Sequence, residues 1–282
     1  MSIGLWRDAR EALRADRLAL ACLAVLALLA IAAVAGPWLL PFREDEIDWD
    51  NMAVPPLAAP GHWLGTDRLG RDLLVRTLHG LRVSLAIALA ATAVAVVIGV
   101  AWGAFAGYRR GRIDALMMRF VDVLYSLPQV FFVIILTVVF GRGPLTILLA
   151  IGAFGWLTMA RIVRGQAMAL REREFIDAAI VGGSGPGRFI ARHVVPNLLG
   201  PVIVYATLTL PQVILVESFL SFLGIGIQEP LASLGNLVAD GAAEMETAPW
   251  MLAVPAGGLM LVVFCFNFLG DSLRDALDPR DR

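Results

Sequence analysis

An all-α integral membrane protein with six transmembrane helices is the fold the sequence predicts, on three observations. Of the 282 residues, 59% are hydrophobic and only 17% are charged, whereas soluble domains are roughly 45–50% apolar. Six stretches free of Asp, Glu, Lys and Arg run Leu18–Phe42, Val83–Tyr108, Val123–Gly141, Gly143–Ala160, His193–Val216 and Thr247–Gly270. Each holds about 18 residues or more, roughly what a helix needs to cross ~30 Å of hydrocarbon. The third observation is where the arginines fall. With the N-terminus inside, seventeen of the 23 basic residues lie in cytoplasmic segments, the bias that orients membrane helices. Both termini are then cytoplasmic.

The elements follow in order. Residues 1–17 form a cytoplasmic arm in which Leu5, Trp6, Ala9 and Leu13 recur at helical spacing among charges, as suits a helix lying on the interface. Residues 18–282 form the transmembrane domain. The first span resembles a signal peptide at Ala33-Val34-Ala35, but its apolar stretch continues to Leu40, beyond the ~7–15 residues of a signal core. It is expected to stay. The outer loop that follows begins with the acidic cluster Glu44, Asp45, Glu46, Asp48 and Asp50 and continues as an extended Pro/Ala-rich stretch, Val54–Pro60. Thr66 or Asp67 then N-caps a short amphipathic helix leading into the second span. This helix reads as a surface brace in preference to a ligand contact. In the third span Ser126-Leu127-Pro128 predicts a kink or break, because proline removes a backbone donor. Pro211 and Pro255 interrupt the fifth and sixth spans, which suits helices that pack on protein or line a cavity. The last outer loop, Gly226–Glu246, carries four acids and no basic residue.

Composition also excludes chemistries. All 23 basic residues are Arg, and a P-loop needs Lys to reach nucleotide phosphates, so the chain cannot carry that motif. His62, His79 and His193 are separated and share no metal-ligand spacing. Cys22 and Cys265 both lie in apolar runs and read as small buried hydrophobes. No nucleophile motif frames a catalytic serine, so no enzyme site is expected. The net charge of −1 gives no reason to expect a nucleic-acid partner.

The most informative stretch is the inside segment Arg161–Asn197, too long for an idle link. A helix continues through Ile162, Met168, Ala169 and Phe175, and the glycine-rich run Gly182–Gly187 follows. Arg188–Val195 forms a second short helix, which Pro196 ends. Read as a phosphate cradle, the glycine run lacks both a preceding strand and a Lys; it reads instead as a tight turn with Gly183 at positive φ.

This segment resembles the EAA loop of the membrane subunits of ATP-binding-cassette importers: Glu-Ala-Ala, three residues, then Gly. Here it reads Asp177-Ala178-Ala179-Ile180-Val181-Gly182-Gly183, with Asp in place of the usual Glu. The resemblance spreads over HWLGTDRLGRDLLVRTLHGLRVSL, REREFIDAA, RHVVPN, ESFLSFLGIGIQEPLASLGNLVADG and GDSLRDALDP, which look like the C-type permease of oligopeptide and dipeptide importers. It implies a type I importer permease fold, with the coupling segment 171–197 between the fourth and fifth spans. Phe175, Asp177, Ala178, Ala179 and Gly183 would meet a groove of a cytoplasmic ATPase. It further implies a homologous B-type permease, two ATPase subunits that bind ATP and Mg, and an extracytoplasmic solute-binding protein, all in a bacterial inner membrane. The chain itself would hold no cofactor.

Two acids lie near apolar stretches: Glu217, in the outer half of the fifth span, and Asp122, at the inner end of the third beside Tyr125 and Gln129. A charge at a helix centre costs about 2.5–3.5 kcal/mol on insertion scales. Such residues face protein or water. Both remain open between a buried structural acid and a pathway or gate residue. An ion- or proton-coupled secondary transporter using Glu217 and Asp122 is the competing function, and a scaffold without a pathway is a third.

Overall fold

The computed structural model describes residues 11–172 and 194–277, and within them the chain is helical apart from turns and one isolated bridge between Thr66 and Asp72. The elements are α1 (Arg17–Leu39), α2 (Leu73–Arg109), α3 (Gly111–Tyr125), α4 (Gln129–Phe140), α5 (Pro144–Arg171), α6 (Val195–Phe222), α7 (Leu234–Ala243) and α8 (Trp250–Leu277). Of these, α1, α2, α5, α6 and α8 are long and apolar enough to cross a membrane. The pair α3 and α4 makes a sixth span if taken as one, bent by 77° at Ser126–Pro128. The expected proline break is therefore there, and it divides the third span into two half-helices.

Asp16 caps α1 by accepting from the amides of Leu18 and Ala19, so the helical residues 11–15 are set off from the first span. Its other carboxylate oxygen accepts from Ser272 Oγ at 2.6 Å. The start of α1 and the end of α8 are thereby tied at one end of the bundle.

Two expectations for the loop between α1 and α2 are corrected. Neither Thr66 nor Asp67 caps a separate short helix; Asp72 caps the single 37-residue α2, accepting from Val75 N at 2.8 Å. Thr66 is occupied otherwise: its hydroxyl donates to the Asn51 carbonyl and accepts from Val54 N. Asp67 receives Arg71 Nε at 2.7 Å and Arg76 Nη1 at 2.9 Å, and Arg71 reaches on to Glu229 in the segment between α6 and α7. The other Asp67 oxygen accepts from the amides of Leu69 and Arg71, so this carboxylate closes a turn, and the helix starts only after Asp72. The Val54–Pro60 stretch is likewise not extended but turned, with Ala58 N donating to Pro55 O.

At 1.5 Å per residue α2 is roughly 55 Å long, and its most extensive partner is α5. Gly99, Gly103 and Gly107 form the seam. A Cβ at any of them would collide with α5, at the Met159 side chain, the Ala160 carbonyl and the Ala167 side chain respectively. Small residues every fourth position let membrane helices approach closely. The main core joins Leu26 of α1, Ile87 of α2, Ile147 and Ile151 of α5, Ile214 of α6 and Val262 of α8. Cys22 and Cys265 are buried in it as free thiols. By contrast, α3 and α4 leave Leu116, Phe120, Phe131, Ile135, Val138 and Phe140 exposed.

Candidate functional site

A cavity of about 380 Å³ lies where the α3–α4 break meets α5 and α6. α5 supplies Ile151, Phe154, Gly155 and Thr158; α6 supplies Thr209, Gln212, Val213 and Val216. Both sets have the i, i+3, i+4, i+7 spacing of one helix face, and both lie near the middle of their helices. The break contributes Tyr125, Leu127 and Gln129. Pro128 is the reason these three can reach the cavity: it starts α4 afresh, with no side chain capping it. Thr158 is exposed between buried Leu157 and Met159, which marks the face that turns to the cavity. The Thr209 hydroxyl donates to the Tyr205 carbonyl at 2.7 Å, leaving its lone pairs free to accept. The wall carries hydroxyls, amides and apolar groups, with no carboxylate, ammonium or guanidinium among the described residues that line it.

Of the four residues singled out beforehand, Tyr125 and Gln129 are on this wall, and the two acids are elsewhere. Asp122 lies one helical turn before Tyr125 and pairs with Arg161 of α5 at 2.7 Å. The Arg161 guanidinium sits 4.1 Å from the Tyr125 ring centroid, a cation–π contact. The three residues together bridge α3 and α5 beside the cavity. Glu217 follows Val216 in sequence but points away from it. It is fully buried and accepts from Ser84 Oγ at 2.7 Å and Ser221 Oγ at 2.8 Å. Ser84 in turn accepts from Leu234 N, and Ser221 from Ile227 N. Glu217 therefore fastens α6 to α2 and to the start of α7.

At the end of the bundle where α2 and α5 finish, two arginines cross. Arg110 Nη2 donates to the Met168 carbonyl at 3.0 Å, and Arg171 Nη1 donates to the Tyr108 carbonyl. Arg164 makes a two-pronged pair with Asp114 of α3 at 2.5 and 2.7 Å, the geometry that suits guanidinium and carboxylate best. Phe175, Asp177, Ala178, Ala179 and Gly183 lie outside the described residues.

Sequence reasoning missed Thr158, Thr209 and Gln212 as cavity residues. The signal was faint: isolated polar side chains on otherwise apolar helix faces. It also missed the Arg110–Arg171 clasp, since a basic helix end reads first as an orientation mark. Among the described residues no group of three His, Cys, Asp or Glu could hold a metal ion.

Comparison with known proteins gives concordant results. Residues 99–282 match the family model described as binding-protein-dependent transport system inner membrane component. Residues 4–60 match that of the N-terminal TM domain of oligopeptide transport permease C. The chain is 50% identical over 278 residues to the oligopeptide transport system permease protein OppC of Haemophilus influenzae, covering 99% of this chain and 89% of the relative. It is 52% identical to the Escherichia coli OppC, covering 99% and 92%. With the dipeptide transport system permease protein DppC of Bacillus subtilis it shares 43% identity, covering 100% and 88%. Among solved structures it resembles a chain of the MetNI methionine ABC transporter, inward facing, at a TM-score of 0.58 and 20% identity, covering 72% of this chain and 96% of that one. At that identity the likeness is one of fold.

Proposed function

We propose, from the premise that this chain belongs to the family of binding-protein-dependent transport system inner membrane components, that it forms half of the translocation pathway of an ATP-driven importer of oligopeptides or dipeptides. The observation that carries the reading is 50–52% identity to oligopeptide permease subunits across 99% of the chain. The competing secondary carrier needs exchangeable carboxylates on its path. Asp122 is instead tied to Arg161 and Glu217 to two serines, and neither lines the cavity.

On this reading a homologous B-type permease completes the pathway. Two cytoplasmic ATPase subunits bind ATP and Mg, and an extracytoplasmic solute-binding protein delivers the peptide. The chain is a multi-pass protein of the bacterial inner membrane, with both termini and residues 161–197 in the cytoplasm. Support for the shared side of the termini comes from the Asp16–Ser272 bond. Phe175, Asp177, Ala178, Ala179 and Gly183 couple to the ATPase. The Arg110–Arg171 clasp then makes α2 and α5 move as one body when residues 173–193 are pushed.

The test is reconstitution with the four partners in liposomes containing ATP. Peptide uptake should require every component, and the purified chain alone should hydrolyse no ATP. Hydrolysis by the chain alone, or peptide uptake driven by a proton gradient without ATPase subunits, would overturn the proposal.

A further inference from the structure

We infer that the cavity at the α3–α4 break is a solute station that holds peptide backbone amides and is indifferent to side-chain charge, an inference that rests on the importer reading above. The geometry begins with two glutamines. Gln129 at the start of α4 and Gln212 on α6 both face the cavity, and neither amide has a hydrogen-bond partner among the described residues. An amide side chain offers two donors and a carbonyl acceptor. Each non-proline peptide residue offers one donor and one acceptor. The two chemistries match group for group. Thr158 and the lone pairs of Thr209 add hydroxyl partners on the facing helices.

Charge, or its lack, gives the second half of the inference. The ion pair beside the lining residue Tyr125 is already matched: Arg161 to Asp122 at 2.7 Å, with Tyr125 under the guanidinium. Glu217 is turned into Ser84 and Ser221. A wall without fixed charge has no preference for the sign of a passing side chain, so Asp-bearing and Lys-bearing peptides meet the same groups. At about 380 Å³ the cavity falls at the lower end of the ~300–1,000 Å³ typical of small-ligand sites. It has room for a short stretch of extended peptide at a time.

The experiment uses the full complex in liposomes and three radiolabelled tripeptides: Ala-Ala-Ala, Ala-Asp-Ala and Ala-Lys-Ala. The double variant Gln129→Leu, Gln212→Leu is expected to lower the maximal uptake rate of all three by the same factor, about tenfold, with the complex still assembled by size-exclusion chromatography. Gln212→Asn, which keeps an amide, should recover most of the rate. Gln212→Glu should create discrimination where there was none, slowing Ala-Asp-Ala against Ala-Lys-Ala by about tenfold, because like charges repel at close range. The station is overturned if the assembled double variant imports all three at the wild-type rate. It is overturned equally if the loss falls on one peptide alone, or if Gln212→Glu leaves the three rates in their wild-type ratio. A double variant that does not assemble leaves the decision to Gln212→Glu, which replaces one exposed side chain by a near-isostere. A wild-type complex that assembles but imports none of the tripeptides refutes the importer reading itself, which separates that failure from failure of the station.

Discussion

Glu217 and Asp240 illustrate two ways a carboxyl is kept out of water. Glu217 pairs with no cation among the described residues; two serine hydroxyls donate to it, and each serine accepts from a backbone amide of the 226–246 segment. Such chains polarise one another in a low-dielectric interior. Removing the acceptor strands both hydroxyls, at about 1–3 kcal/mol for an unsatisfied buried group. Glu217→Leu should therefore lower the thermal midpoint of the purified complex, whereas Glu217→Gln should assemble and transport nearly as wild type. A Gln variant that assembles yet imports nothing would return this residue to the path. Asp240, on α7, is shifted differently: burial first, then the Glu229 charge, holds its carboxyl above the ordinary 3.8. A carboxyl raised in the folded state favours folding below its unfolded value, and that benefit is lost as pH rises through the folded value. Asp240→Asn should thus be more stable than wild type near neutral pH, and the gap should close as pH falls towards 3.8. Thermal midpoints across a pH series measure it; a gap that widens on acidification would contradict the sign.

The helices themselves were legible in the sequence wherever one physical variable decided them. Charge-free length placed the spans, and Pro128 placed the break between α3 and α4. The start of α2 was not legible, because Thr66, Asp67 and Asp72 are all competent caps. Asp67 closes a local turn on the amides of Leu69 and Arg71 while receiving the Arg71 and Arg76 side chains, and Asp72 caps the helix. The cavity was half legible: Tyr125 and Gln129 were singled out beside a break, but Thr158 and Gln212 acquire meaning only once α5 and α6 are rotated into place. The α2 seam of Gly99, Gly103 and Gly107 was available as a spacing and went unused, because hydropathy reading weighs large residues over small ones. At Gly103 a side chain would strike the backbone at Ala160 and Arg164, which cannot move aside as a side-chain tip can. Overpacking of this type costs about 1–3 kcal/mol or more. Gly103→Leu should lower the yield of assembled complex and its thermal midpoint. Gly257→Ala in α8, with nothing within 4 Å of the added carbon, should leave both unchanged. Equal effects at the two sites would mean that helix propensity, and not the seam, is being measured.

At the scale of the whole molecule, the sidedness proposed for the bundle is open to direct test. Of single cysteines placed at Ser184 and Leu57 in a chain with Cys22 and Cys265 replaced, an impermeant maleimide should label only the one at Leu57 in intact cells. Labelling of position 184 without position 57 would invert the topology. Another consequence starts from the break at Ser126–Pro128. There α4 begins in mid-span with no side chain capping its first turn, and its outward surface is a row of apolar side chains. Hydrocarbon cannot satisfy backbone donors, so irregular backbone at this depth must be shielded by protein or water. The cavity walled by α5 and α6 lies at that break, so water or solute held there is what can meet the first amides of α4. Emptying it of both would leave those amides unsatisfied, which sets a cost on a dry pathway and favours a cavity that passes from water to solute and back.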